Sequence, residues 1–130
     1  MDEEGNILSE STYATTTYRC EHDARIFEQS TSEIWHSITS AVKDVVKEAK
    51  LKPEDVKGMG FDATCSLAVT DWDGNAMSVT PEPEGKWGKG DRNIVLWADH
   101  RAEQEANEIN ASGSMVLNYV GKTMSVSVVP

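Results

Sequence analysis

Between Ser30 and Lys50 the apolar residues Ile34, Trp35, Ile38, Ala41, Val42, Val45, Val46 and Ala49 return every three or four positions. That interval gathers side chains on one face of an α-helix. Ser30 followed three positions later by Glu33 has the form of a capping box, so the helix is expected to begin there. Lys43, Asp44, Lys47 and Glu48 fall on the opposite, wet face, and the apolar stripe is broad enough to pack on a sheet.

The rest of the chain reads in shorter pieces. DEEGN is a turn signal, and ILSESTYATTTY behind it is rich in Thr and Tyr, which suit a pleated surface and predict a strand. A strand this early is expected to have lost an earlier hairpin partner and to leave an open edge. LKPEDVKG supplies a helix stop and a turn around Pro53. VKGMGFDATCSLAVTDWDGNAMSVT then reads as two or three strands, with Asp73-Gly74 marking a tight two-residue turn that pairs LAVTDW with NAMSVT antiparallel. The Pro-, Gly- and charge-rich residues 81–93 read as an inserted surface loop. They lead into IVLW, a short buried-type strand, and DHRAEQEANEIN, a polar helix with Ala102, Ala106 and Ile109 on one side. A further short helix is predicted over Ser114–Val120, with Gly121 as its stop. This order predicts a single α/β domain, a mixed sheet with flanking helices.

Composition narrows the classes. The 130 residues suit one domain. The apolar share of 38% is low against the roughly 45–50% usual for globular domains, a count that also includes Gly, so marginal stability is expected. A net charge of −10 disfavours nucleic acid, which needs a Lys/Arg surface to displace counterions. Cys20 and Cys65 lie far apart without a metal-ligand spacing, which fits a reducing compartment. There is no apolar run of about 18 residues and no basic-then-apolar leader at residues 1–20. The expectation is a cytoplasmic protein without membrane contact.

Three segments carry candidate chemistry. EQSTSEIW, residues 28–35, says by itself only that a helix starts. GMGFDATCSLAVTDWDGN, residues 58–75, places small polar residues at a strand end, where a ligand can approach the backbone closely. Asp62, Thr64, Cys65 and Ser66 could there hydrogen-bond a polyol, although an ordinary turn capped by Asp62 explains them as well. NIVLWADHRAEQEAN, residues 93–107, sets Asp99, His100 and Arg101 directly after an apolar strand; Asp99 at a helix start is more often a cap than a ligand.

In order and separation, EQSTSEIW, GFDATCSLAV and WADHRA resemble the first domain of FGGY carbohydrate kinases, and GFDATCS with WxDHRA resembles the ribulokinase-like branch that includes D-ribulokinases. Glycerol kinases and xylulokinases carry other residues at the first of these positions. YVGKTMSV, residues 119–126, is also similar to the family, so the likeness runs from Asp2 to Val126. It implies part of a ribonuclease-H-like, actin-like ATPase domain, one of two that close around a cleft where Mg-ATP donates its γ-phosphate to a sugar hydroxyl. Such transfer depends chiefly on positioning and charge neutralisation. Carried over by motif, Thr64, Cys65, Ser66 and Asp99 are the implied sugar-site residues. Asp62, Trp97 and Arg101 support them, Arg101 by pairing with carboxylates.

Against the family pattern, the chain begins after the DxGT-like hairpin and ends before the catalytic Asp and the nucleotide-binding domain. MSVSVVP parts from the pattern after Ser125, as an altered reading frame, a splice product or a truncated gene model would. Residues 1–130 are therefore expected to be one incomplete FGGY N-terminal domain from a pentulose kinase, with D-ribulose favoured. No catalytic residue, no metal ligand and no tight ATP binding are expected of the chain itself. The competing expectation is a non-catalytic remnant that binds a sugar or a partner. In either case self-association through the open edge, or through the face a second domain would cover, is expected.

Overall fold

The computed structural model describes residues 1–80 and 88–126, and these form two compact units. The first comprises Met1–Thr16 and Ser32–Ala63. Its main element is α1, Thr31–Glu48, over the residues whose period predicted it. Ile34, Ile38, Ala41, Val45 and Val46 are half-buried, no residue of α1 is fully buried, and Trp35 stands 62% exposed. The apolar stripe is thus only partly covered. Lys50 ends the helix with a positive φ of 53°, and the Leu51 N–H returns to the Val46 carbonyl at 3.0 Å, the left-handed exit that closes many helices. A 3-10 turn follows at Pro53–Asp55.

The turn at residues 2–5 is present, its ends joined by the Gly5 N–H on the Asp2 carbonyl at 3.1 Å. The strand expected behind it is not. Only Tyr18–Arg19 is strand, and residues 7–17 join no ladder. They bond to α1 instead: the Ser9 hydroxyl donates to the Val45 carbonyl at 2.9 Å, the Tyr13 hydroxyl to Asp44 at 2.5 Å, and the Thr16 N–H to Glu33 at 2.9 Å. β-forming composition makes a strand only where another strand offers its backbone, and here the helix takes those contacts.

The second unit comprises Thr17–Thr31 and the chain from Thr64 onward. Its sheet has the order β1-β2-β4-β3, with β1 Tyr18–Arg19, β2 Phe27–Gln29, β3 Leu67–Ala68 and β4 Ile94–Val95. Every pairing is antiparallel, with Glu28 opposite Val95 and Leu67 also opposite Val95. The mixed sheet expected from the sequence is therefore not seen among the described strands, because residues 58–66, expected to supply a strand, form none.

The hairpin at Asp73-Gly74 forms with a longer loop than expected. Thr70 bridges Ala76, Asp71 pairs with Asn75, and Gly74 takes φ 83°. This is a three-residue loop whose left-handed position calls for glycine. The Asp71 carboxylate holds it from inside by accepting the N–H groups of Asp73 and Asn75 at 3.0 and 2.8 Å. Of the expected loop at 81–93, residues 81–87 lie outside the described ones, while Lys89 bridges Met77. Gly90 allows that approach, since a Cβ there would meet the Ser78 Cβ at 3.0 Å. After β4 come α2, Glu103–Ala111, and a 3-10 turn, Met115–Asn118, with Gly121 at φ 74°.

The buried set is small and half polar: Val79, Ile94, Ala106 and Leu117 beside Glu28, Ser30, Asn93 and Asp99. Asn93, at 0% exposure, ties three segments. Its Oδ1 accepts the Thr31 N–H at 3.0 Å and its Nδ2 donates to the Val69 carbonyl at 3.1 Å. Replacing it strands the Thr31 N–H, at a cost of about 1–3 kcal/mol, while the Val69 carbonyl keeps the Met77 N–H at 3.2 Å. Asn93→Ala should therefore lower the free energy of unfolding in urea by about 1–3 kcal/mol. Trp72→Ser, at the fully exposed hairpin tip, should change it by no more than about 0.5 kcal/mol. Equal midpoints for the two variants would contradict the ranking.

Candidate functional site

β3 and β4 run antiparallel, so the residue before β3 and the residues after β4 meet at one end of the sheet. There the Trp97 N–H donates to the Ser66 hydroxyl at 3.3 Å. On the other flank of β4, β2 grips the same turn. The Leu96 N–H reaches the Phe27 carbonyl at 3.0 Å, the Phe27 N–H donates to Asp99 Oδ2 at 2.8 Å, and the His100 N–H reaches the Arg25 carbonyl at 2.9 Å. Ser66 and Asp99 are thus brought to one sheet end, on opposite sides of β4.

Asp99 is 3% exposed, and both of its oxygens are occupied. Oδ1 accepts the Arg101 N–H and Nε at 2.9 Å each; Oδ2 accepts Arg101 Nη2 at 2.7 Å in addition to the Phe27 N–H. Arg101 continues from Asp99 into a wider cluster. Its Nη2 donates to Glu28 Oε1 at 3.0 Å, and its Nη1 donates to the Val79 carbonyl at 2.8 Å. The Thr80 hydroxyl also donates to Glu28 Oε1. One guanidinium thereby joins β2, the residues 79–80 and the turn after β4, as its planar fork of donors allows.

Burial works against the charge on Asp99, but the Arg101 guanidinium and the N–H groups of Phe27 and Arg101 outweigh it and hold the carboxyl below the usual range. Arg101 is also opposed by burial, and Asp99 and Glu28 together raise it above its ordinary value. Nearby, the Arg25 side chain and amide hold the half-buried Asp23 at about 2.

The other expected residues are more open. Thr64 and Cys65 are exposed, and Ser66 is half-buried with its N–H on the Thr64 carbonyl at 2.9 Å. Trp97 is 52% exposed. Asp62, expected to cap a turn, is exposed and belongs to the first unit. The strand end it would have capped did not form. Two open depressions of about 470 and 450 Å³ follow α2, one lined by Arg25, Glu103 and Asn107 and the other by Ile109, Val116 and Met124. The expected site residues line neither. Among the described residues no three of His, Cys, Asp and Glu gather where they would hold a metal ion. No described helix is long and apolar enough to cross a membrane.

Glu28 was not singled out by its own sequence neighbourhood. EQST marks a helix start, and the partner of its acid lies 73 positions away. The strand that carries it, β2, was not expected from the sequence, so nothing there marked Glu28 as a buried counter-charge.

The sequence pattern of the N-terminal domain of the FGGY family of carbohydrate kinases matches residues 1–126. The chain belongs to this family. A D-ribulokinase of Saccharomyces cerevisiae is 41% identical over 126 residues, which is 97% of this chain and 17% of that protein. An FGGY carbohydrate kinase domain-containing protein of Homo sapiens is 41% identical over 76% of the chain and 17% of its own length. A ribulokinase of Geobacillus thermodenitrificans is 31% identical over 56% of the chain. The chain thus spans about a sixth of the length of the curated relatives it matches most fully. The small α/β architecture, with its antiparallel sheet and two helices, is consistent with an FGGY N-terminal domain, and the resemblance read from the three motifs agrees with these relatives.

The depressed carboxyl of Asp99 gives this FGGY chain a defined acid response. A group whose folded pKa lies below its unfolded one contributes in full above the ordinary carboxylate value, about 4, and loses that contribution as pH falls through the folded value. Urea unfolding of the wild type should hold steady down to about pH 5 and weaken below about pH 4. Asp99→Asn should start lower and weaken less over that interval; parallel curves would contradict the assignment.

Proposed function

We propose that the chain is the sugar-binding part of an ATP-dependent pentulose kinase, with D-ribulose as the favoured sugar and Mg-ATP as the phosphoryl donor. The observation that carries this reading is the 41% identity to a D-ribulokinase over 97% of the chain. The partial ribonuclease-H-like fold belongs to the same proposal, as does placing the catalytic Asp and the nucleotide site in lengths of those relatives that this chain does not cover. Work of this kind is divided naturally, because phosphoryl transfer needs the acceptor hydroxyl fixed in line with the γ-phosphate and a separate group to accept its proton.

Within the chain, the sugar face comprises Thr64, Cys65 and Ser66, with Trp97 alongside. Hydroxyls and free backbone groups on small residues suit a polyol, whose own hydroxyls both donate and accept. Asp99 belongs to the site too, and its filled coordination suits it to ordering that face. A second reading, a non-catalytic sugar-binding or interaction module, is favoured by one observation: Thr64, Cys65 and Trp97 lie on open surface. Self-association through a sheet edge, β1 or β3, is compatible with either.

Titrating D-ribulose while following tryptophan fluorescence tests the reading. The expected result is a saturable change near Trp97, weakened about ten-fold by Ser66→Ala, the scale of one lost hydrogen bond. A flat response up to millimolar sugar would contradict sugar binding. Turnover of D-ribulose with ATP is expected to be absent from the chain alone, and ADP release abolished by Asp99→Asn would overturn that part.

A further inference from the structure

The Arg101 cluster and Ser66 lie on opposite flanks of β4, and one short turn connects them. On the β2 side, Asp99 fixes the turn through the Phe27 N–H and through Arg101, which Glu28 holds in turn. On the β3 side, the same turn offers the Trp97 N–H to the Ser66 hydroxyl. Asp99 also donates its own N–H to the Leu96 carbonyl at 2.8 Å, so the four residues 96–99 form one closed loop of chain. A shift of the carboxylate therefore moves Trp97.

The geometry points to Glu28 and Asp99 as positioning residues: acting through Arg101, they lock the turn after β4 on β2 so that the Trp97 N–H orients the Ser66 hydroxyl toward a sugar. The function this serves rests on the sugar-binding reading above, while the mechanical link does not. Accepting the Trp97 N–H uses one lone pair of the Ser66 oxygen and leaves its proton and second lone pair for a ligand hydroxyl. Asp99 has no comparable freedom. It is buried, and its two oxygens already accept five N–H contacts from Phe27 and Arg101. Glu28 is buried beside it on Arg101, and removing either carboxylate leaves the guanidinium one counter-charge and the neutral Val79 carbonyl. The side chains that could touch a sugar and the side chains that fix them are separate sets joined by backbone.

A double-mutant cycle distinguishes this from a general loss of stability. D-ribulose affinity is measured by calorimetry for the wild-type chain, Glu28→Ala, Ser66→Ala and the double variant. If Glu28→Ala does not fold, Glu28→Gln, which keeps the side-chain shape and an acceptor oxygen, replaces it. Amide exchange is followed in the same samples. Each single variant should bind about ten-fold more weakly, and the double variant no more weakly than Ser66→Ala, since residues acting through one another are not additive. The Trp97 amide should exchange at least about ten-fold faster in the Glu28 variant, with α1 amides unchanged. Additive losses, or unchanged Trp97 protection, would overturn the proposal. If the wild-type chain binds no D-ribulose, the sugar reading fails. The exchange rate at Trp97 then decides the positioning claim alone, faster exchange confined to the turn supporting it and unchanged exchange overturning it.

Discussion

A guanidinium held between two buried carboxylates cannot leave one without exposing the charge imbalance of the whole group, and in this chain that guanidinium is Arg101. Glu28 comes from β2 and Asp99 from the turn after β4, and the Val79 carbonyl joins from the segment that follows the hairpin. Desolvating such groups is expensive, and attraction offsets the expense only when nearly every donor and acceptor is used. Here hydrogen bonds use Nε, Nη1 and Nη2 of the guanidinium and both oxygens of Asp99. Removing one partner from a cluster of this kind typically costs about 3–5 kcal/mol, a large share of the stability of any small domain.

That dependence follows from how little else is buried. Four apolar residues are buried among those described, while Trp35, Trp72, Trp97, Phe61 and Met59 are among the large apolar side chains left exposed. With so small a core, hydrogen-bonded polar groups carry an unusual share of the order in the second unit. Asn93 and the Arg101 cluster both join segments that strands of two or three residues join only weakly. Such networks specify geometry well when every member is satisfied and poorly when one is missing.

What could be read in the sequence was local. The period of Ile34, Ile38, Ala41, Val45 and Val46 announced α1, and Asp73-Gly74 announced the hairpin, because each depends on neighbours within a few positions. The stretch at residues 7–17 misled, since Thr and Tyr favour a strand only when a partner strand is at hand, and Ser9, Tyr13 and Thr16 bond to α1. GMGFDAT misled for the same reason. At the candidate site, the motif WADHRA led to Asp99 and Arg101, but the division of labour between them was not legible. Whether a carboxylate faces a ligand or a guanidinium depends on Glu28, distant in sequence. Membership of the FGGY family explains why the motifs come in this order; the hydrogen bonds explain why these residues must be the ones they are.

The central claim is that Arg101 is immobilised by Asp99 and Glu28, and the Arg101 Nε–H resonance reports on this directly. In a nitrogen-edited NMR spectrum of the chain near neutral pH, the account expects that proton to be displaced from those of the exposed arginines and to exchange with water far more slowly than they do. An Arg101 Nε–H that overlaps theirs and exchanges as fast would contradict the account, because no guanidinium free to turn in solvent could hold the end of β4 in place.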